Sequence, residues 1–472
     1  MKQKLWINGE GMETDSYYPL HSPYDNTLLA EVAIADMGKV DAAISSACAA
    51  SNVLREMPAH QRASILEKVV ELLTEQRLEC AQLISAEASK PIKASLGEVD
   101  RTIMTYKFAA NEARTIHGET VPLDGAPGGE GRMAFTIREP LGVIGAITPF
   151  NFPMNLVAHK VGPAIAAGNA VVLKPASQTP LSAYKIADLF HQAGLPAGAL
   201  NVITGSGKTI GEGLVKDDRI KMITFTGSPS VGKQIREKAG LKKVTLELGS
   251  NSAVIIDKNT DLIEIVPRIV TGSFLYQGQV CISVQRIYVH EEIFQDFSTL
   301  FVNETKKLKV GHPSEEGTDI SSMISKDDVL RAKSWIDEAV ENGATILIGG
   351  EIERNVLSPT VLVQVKDSDK VSCEEIFAPV VSINSISSIE EGIERVNSSK
   401  YGLQAGIYTK DIQTAFNAAR KLEVGGVMIN DFPTFRVDQM PYGGVKESGT
   451  GREGIRYAVG EMTELKLISF KI

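Results

Sequence analysis

The chain has 472 residues, 43% hydrophobic and 23% charged, with a formal net charge of −9. That length calls for two or three cores rather than one, and the composition is that of a globular protein, not a disordered or fibrous one. The negative balance speaks against a nucleic-acid surface. No apolar run nears the roughly 20 residues that span a bilayer. The start, MKQKLWINGEGMETD, lacks an apolar core of signal-peptide length. A cytoplasmic protein is expected, with neither membrane nor nucleic acid as partner.

Residues 1–35 alternate short β-like runs with turn residues (LWINGE, SPYDNTLLAEVAIA), the pattern of strands and a hairpin. Helical periodicity follows over 36–118. Asp36 is the expected N-cap of a first helix, Lys39–Leu54; Pro58–Gln76 and Glu98–Ile116 read as further helices, the last carrying Arg101. Residues 119–138 are polar, glycine-rich and then β-like, which predicts a strand pair outside the main body that serves an interface. Beyond them LGVIGAIT, AVVLK, LNVIT, MITFT and KVTLEL alternate with helical segments such as Pro180–Ala193 and Lys208–Val215. Strands alternating with helices predict a parallel sheet with crossovers, and such sheets bind ligands at the carboxyl ends of their strands. Residues 250–442 repeat the alternation, with a long helix near Leu262–Gln277, and predict a second α/β domain. The tail Glu464–Ile472 alternates apolar and polar residues and reads as an exposed strand that would pair with another subunit.

Of the four cysteines none forms a CxxC pair, and the seven histidines show no HxH or HExxH, so no metal site is expected. Cys281 stands out, in QGQVCISVQR (277–286). Ile269 to Tyr276 read as the end of a helix and Val284 to Val289 as a strand, so the thiol sits at a turn that can present it to a cleft. The alternative is a buried, inert cysteine. TGSGKT (204–209) imitates a phosphate-binding loop but has Val202 where that loop needs glycine. KMITFTGSPSVG (221–232) is a better phosphate site: a strand ends at Thr226, Gly227 permits a tight turn, and Ser228 opens a helix whose N–H groups favour a pyrophosphate. In VVLKPAS (171–177) a strand delivers Lys174 to its carboxyl end, where Pro175 stops it. There a lysine can bond ribose hydroxyls or a phosphate, or stand as an ordinary solvated charge.

Nine motifs in order and spacing resemble the aldehyde dehydrogenase superfamily: ITPFNFP (147–153), KPAS (174–177), LPAGALNVITG (195–205), FTGSPSVG (225–232), LELG (246–249), GQVC (278–281), EEIFAPV (374–380), YGLQAGIYT (401–409) and PYGGVKESGTGREG (441–454). The resemblance implies an α/β fold with a Rossmann-like dinucleotide-binding domain (1–118 and 139–247), an α/β catalytic domain (248–442) and a small β oligomerisation domain (119–138 with 443–472), assembled as a homodimer or homotetramer. It implies oxidation of an aldehyde to its carboxylate through a cysteine thiohemiacetal and thioester. Carried over, Cys281 is the nucleophile, Glu247 the general base and Asn151 the side-chain oxyanion donor. Lys174 takes the adenosine ribose, Thr226, Gly227 and Ser228 the pyrophosphate, and Glu375 and Phe377 the nicotinamide ribose and ring. Many NAD-preferring relatives have glutamate at position 177. Ser177 is small and uncharged here, so NADP is expected to serve as well as NAD, or better.

Arg101, His159 and Arg436 fall where relatives place contacts to anionic or hydroxylated aldehydes, and two arginines with a histidine can hold a carboxylate, phosphate or sulfonate. The other reading of the three is structural ion pairs. Val280, before the nucleophile, removes an arginine that some relatives use on phosphorylated aldehydes. The expected substrate is a short polar aldehyde such as lactaldehyde, glyceraldehyde 3-phosphate, succinate semialdehyde or sulfolactaldehyde. The alternatives are a CoA-acylating dehydrogenase and a non-catalytic binding protein on the same fold. Ser250, Phe150 and Ala378 depart from the family pattern without removing a catalytic atom, and Asp319–Ile324 also departs, in a stretch expected to lie far from the chemistry.

Overall fold

The computed structural model describes residues 2–472. Its first large sheet has eight strands in the order Gly449–Thr450, Lys243–Glu247, Ile220–Thr226, Val143–Ile147, Ala170–Lys174, Leu200–Val202, Leu5–Ile7 and Glu10–Met12. The five from Lys243–Glu247 to Leu200–Val202 are parallel. They read as continuous apolar runs because helices cover both faces. Crossovers run through Asn155–Ala167, Leu181–Gln192 and Pro229–Lys238. Strand order reverses between Val143–Ile147 and Ile220–Thr226, which opens a crevice at the carboxyl edge where ligands bind in sheets of this kind.

The second sheet has seven strands: Thr345–Ile348, Thr360–Val363, Val380–Ile386, Arg286–His290, Ala253–Ile256, Gln404–Tyr408 and Gly426–Ile429. All neighbours are parallel except the outermost pair, Thr345–Ile348 with Thr360–Val363. The α/β architecture with parallel sheets is the one the sequence predicts.

Helices begin where the chemistry directs. Asp36 caps Met37–Glu56 by accepting from Lys39 N at 2.8 Å. The expected helix Leu262–Gln277 instead stops at Phe274. Tyr276 and Gln277 take φ of 48° and 53°, held there by bonds from Tyr276 OH to Ala88 O (2.9 Å) and from Gln277 Nε2 to Ser89 O (3.1 Å) and Ser322 O (2.8 Å). Gly278 continues the turn at φ 69°, and a Cβ there would stand 2.1 Å from the Ala378 carbonyl oxygen. The strand after the thiol correspondingly starts at Arg286 rather than Val284.

The tail corrects another expectation. Thr463–Lys471 pairs along its full length with Arg132–Pro140 of its own chain, which pairs in turn with Thr120–Val121. One edge of the tail strand is thus satisfied within the chain, and only its outer edge has no partner among the described residues. The segment 443–472 also divides. Gly449–Thr450 adds antiparallel to Lys243–Glu247 in the first sheet, and Ile455–Glu461 packs on Asn155–Ala167. Among the described residues no helix is long and apolar enough to cross a membrane.

Candidate active site

Cys281 lines a cavity of about 410 Å³. Arg101, Arg436, Tyr442, Phe152 and Lys90 are in its wall, with Val280 and Ile282 flanking the thiol. Asp319 and Ile320 line it too, so the stretch expected to be remote is part of the pocket. The half-buried Sγ is 2.9 Å from the Tyr442 hydroxyl. Burial pushes the thiol up to about 11, against the Tyr442 hydrogen bond and the Arg436 charge.

Asn151 meets the thiol loop across 128 residues of chain. Its Nδ2 donates to Gln279 O at 3.0 Å, two residues before the sulfur. Glu247 ends its strand beside Thr226 and Gly449. Both its carboxylate oxygens are buried without a hydrogen-bond partner, and a Cβ on Gly443 would come within 2.9 Å of one of them. Burial, then the negative Glu453, pushes this carboxyl well above the usual range. Glu247 also acts electrostatically on Cys281 and Tyr442, so the three belong to one region.

A buried ion network forms the floor behind them. Glu453 accepts from Lys160 Nζ (3.0 Å) and Arg436 Nη2 (2.9 Å). Lys160 also donates to Thr224 Oγ1 (3.2 Å) and Thr226 Oγ1 (2.8 Å). Asp438 accepts from Arg101 Nη2 (2.7 Å) and from His159 Nε2 (2.9 Å). Burial opposes both negative charges. Lys160 and Arg436 outweigh it at Glu453, His159 and Arg101 at Asp438, and both carboxyls sit below their usual values.

His159, expected at the cleft wall, is instead a layer behind it: its side chain is fully buried and its bond to Asp438 steadies the partner of Arg101. Burial, then the Arg436 charge, lowers its pKa below the ordinary histidine value. Arg101 and Arg436 do face the cavity, each anchored by one carboxylate, and each keeps a buried Nε–H without a partner.

Lys174, Ser177, Thr226, Gly227 and Ser228, expected on the cofactor side, lie at or just beyond the carboxyl ends of strands of the first sheet. Lys174 is buried, and its ammonium makes one bond, to Pro175 O at 3.1 Å, leaving donors unspent; burial lowers it to about 8. Ser177, held by the bond from Tyr18 OH to its carbonyl (2.9 Å), flanks a separate open groove. Thr226 serves the Lys160 network as well as ending its strand. A Cβ on Gly227 would sit 2.5 Å from the Phe225 ring, and Ser228 opens Pro229–Lys238 without capping it by its side chain, which leaves the N–H groups just after Pro229 without a side-chain acceptor.

Glu375 and Phe377 come from the loop that leads into Val380–Ile386 of the second sheet. Glu375 accepts from Ser250 N (3.0 Å) and is pushed up to about 7 by burial; its other oxygen is where a Cβ on Gly249 would stand, 2.7 Å off. Phe377 packs edge-on against Phe150, 5.8 Å between centroids. Unspent donors at a strand end, a bare helix start and glycines that leave no side chain in the crevice fit a dinucleotide. Among the described residues no cluster of histidine, cysteine and carboxylate side chains could hold a metal ion.

Tyr442, Lys160, Glu453 and Asp438 escape the sequence reading. The one signal was the dipeptide His159-Lys160 inside Asn155–Ala167, every residue of which is buried. Two polar groups in an apolar helix demand partners.

The aldehyde dehydrogenase family profile matches residues 6–468. A 3-sulfolactaldehyde dehydrogenase of Priestia megaterium is 48% identical over 464 residues, 98% of this chain and 97% of its own. The crystal structure of aldehyde dehydrogenase 21 from Physcomitrella patens, in complex with the reaction product succinate, superimposes with a TM-score of 0.97 at 40% identity, covering 100% of this chain and 98% of that one. Glyceraldehyde-3-phosphate dehydrogenase GapN from Methanocaldococcus jannaschii, complexed with NADP, gives 0.94 at 38% identity, covering 97% and 100%.

Proposed function

The chain belongs to the aldehyde dehydrogenase family and oxidises an aldehyde to its carboxylate with NAD(P), and from that premise we propose that its substrate is a short polar aldehyde, anionic by preference, with sulfolactaldehyde and glyceraldehyde 3-phosphate ahead of succinate semialdehyde and the uncharged lactaldehyde. The observation that carries this reading is the pair of cavity-wall arginines, Arg101 and Arg436, with their unpartnered buried Nε–H donors. Buried donors nearly always have acceptors, and a sulfonate, phosphate or carboxylate supplies them. The relatives fit: they act on, or hold, a sulfonated, a phosphorylated and a dicarboxylate compound.

Cys281 is the nucleophile. Its thiol gives its proton to water in the cavity and Sγ adds to the aldehyde carbon, the carbonyl π pair moving to the oxygen, where Asn151 Nδ2 and the Cys281 N–H receive the developing oxyanion. When bound, NAD(P) supplies the hydride acceptor that turns this adduct into a thioester. Glu247 takes a proton from water, the water oxygen adds to the thioester carbon, and the thiolate leaves with the carboxylate product released. Lys174, Ser177, Thr226, Gly227 and Ser228 hold the adenosine and pyrophosphate side, Glu375 and Phe377 the nicotinamide side. Arg101 and Arg436 orient the anion, and His159 acts through Asp438. The enzyme is cytoplasmic, and the outer edge of Thr463–Lys471, with Leu465, Leu467 and Phe470 about half exposed, joins subunits into a homodimer or homotetramer.

A panel of aldehydes followed by NADPH absorbance tests the substrate class. Sulfolactaldehyde should exceed hexanal in kcat/KM by at least about a hundredfold, two charge-assisted hydrogen bonds' worth; a preference for hexanal defeats the reading. Arg101→Ala should raise KM for sulfolactaldehyde by about 10- to 100-fold more than for uncharged lactaldehyde, since it removes a charged hydrogen bond. Equal effects on both would place Arg101 outside recognition. Ser177→Glu should cut the NADP-to-NAD ratio of kcat/KM by at least about tenfold, because a carboxylate would face the 2′-phosphate; an unchanged ratio would remove position 177 from cofactor choice.

A further inference from the structure

We propose that Tyr442 reads an α-hydroxyl on the substrate and so selects 2-hydroxyaldehydes over their deoxy analogues; this rests on the reading of Cys281 as the nucleophile of an aldehyde oxidation. The only hydrogen bond of the Tyr442 hydroxyl among the described residues is to Cys281 Sγ, at 2.9 Å. The ring has little freedom. The Arg436 guanidinium lies 3.6 Å over its face, and its backbone exchanges two bonds with Glu453, N to O at 3.0 Å and O from N at 2.7 Å. Glu453 in turn holds Arg436, closing a loop of three residues around the phenol. Tyr276, Val280 and Ile282 pack on its apolar side. Burial keeps the phenol protonated, a donor throughout the reaction.

The consequence follows from what sulfur becomes. As a thiolate it accepts strongly from the Tyr442 O–H. Once bonded to the substrate carbon it is a thioether-like sulfur and a weak acceptor. The buried phenol then needs another partner. The α-carbon is one bond beyond the carbon that sulfur attacks, so an oxygen on it enters the space around Sγ that the Tyr442 hydroxyl already occupies. Asn151, on the Gln279 side of the loop, is left for the carbonyl oxygen. A 2-hydroxyaldehyde receives the phenol's hydrogen bond as the adduct forms. Its deoxy analogue leaves a buried donor empty, and sites built around a substrate hydroxyl reject such analogues strongly.

Lactaldehyde and propanal differ in that one hydroxyl and form the test. Tyr442→Phe keeps the ring on Arg436 and in its apolar contacts while removing the oxygen. Both substrates feel the loss of the bond to sulfur; only lactaldehyde feels the loss at the α-carbon. The wild type should favour lactaldehyde, and the variant should lower the lactaldehyde-to-propanal ratio of kcat/KM by about tenfold, the worth of one hydrogen bond. An unchanged ratio, with both substrates slowed by the same factor, overturns the proposal and leaves Tyr442 acting on the thiol alone. Failure of the wild type to oxidise sulfolactaldehyde as well as both of these aldehydes, indistinguishable from Cys281→Ala, sinks the underlying reading of the reaction and the proposal with it; oxidation of sulfolactaldehyde with no preference for lactaldehyde over propanal overturns the proposal alone.

Discussion

Glu247→Gln should release up to one equivalent of reduced cofactor per subunit and then stall, with steady-state turnover lower by about 10²- to 10⁴-fold, the range for a lost general base. The carboxylate ends a rigid strand, and both its oxygens are free of hydrogen bonds. Glutamine fills the same space but cannot take a proton, so thioester formation proceeds and hydrolysis does not. The pH dependence follows from the surroundings. Burial, then the neighbouring Glu453, holds the Glu247 carboxyl well above its ordinary range, so the base form grows in at higher pH than for an exposed carboxylate. Wild-type steady-state turnover should therefore climb from acid to alkaline pH, and the residual rate of the variant should lack that rise. Rapid-quench kinetics with stopped-flow absorbance measures both. Steady turnover at the wild-type rate would remove Glu247 from the mechanism. A wild type that stalls until CoA is added would favour the acylating alternative.

Glu453→Gln should destabilise the subunit by roughly 3–5 kcal/mol, the usual result of stripping one partner from a buried ion pair. Lys160 and Glu453 are both within 3% of full burial, and Arg436 is 6% exposed. Neutralising the carboxylate leaves two cations with no compensating charge. The sign with pH is definite. The Glu453 carboxyl is lowered in the folded chain, so its contribution is present above the ordinary value of 4.5 and disappears as pH falls toward the folded value. The thermal midpoint of the wild type should fall below that pH, more steeply than that of the variant. The same substitution removes a negative charge that raises the Glu247 carboxyl, so hydrolysis in whatever folds should reach its plateau at lower pH. Equal midpoints for variant and wild type at neutral pH would contradict the network.

Much of this protein is written locally. Alternating apolar strands and helices specify two parallel sheets, because period and burial on both faces are properties of neighbouring residues. Asp36, Pro175 and Gly227 mark an end, a stop and a turn by their own stereochemistry. Cys281 at a glycine turn, Lys174 at a strand end and the order of nine motifs identify the reaction class without any contact being known. The tail strand was legible as a strand, but not its partner: Arg132–Pro140 is over 300 residues away in the chain.

The pocket is where local pattern stops. Arg101 meets Asp438 across 337 residues, His159 meets Asp438 across 279, and Tyr442 meets Cys281 across 161. No periodicity couples positions that far apart, so only the packed chain could place His159 behind the wall, bring Asp319 and Ile320 into it, and set a phenol against the sulfur. The early end of the helix before Cys281 has the same cause. Tyr276 and Gln277 have ordinary helical propensity, and side-chain bonds to Ala88, Ser89 and Ser322 outweigh it. The sequence determined which reaction this chain can run; the tertiary structure decided which groups stand around the sulfur, because charge pairs and buried donors are satisfied by whatever lies near in space rather than along the chain.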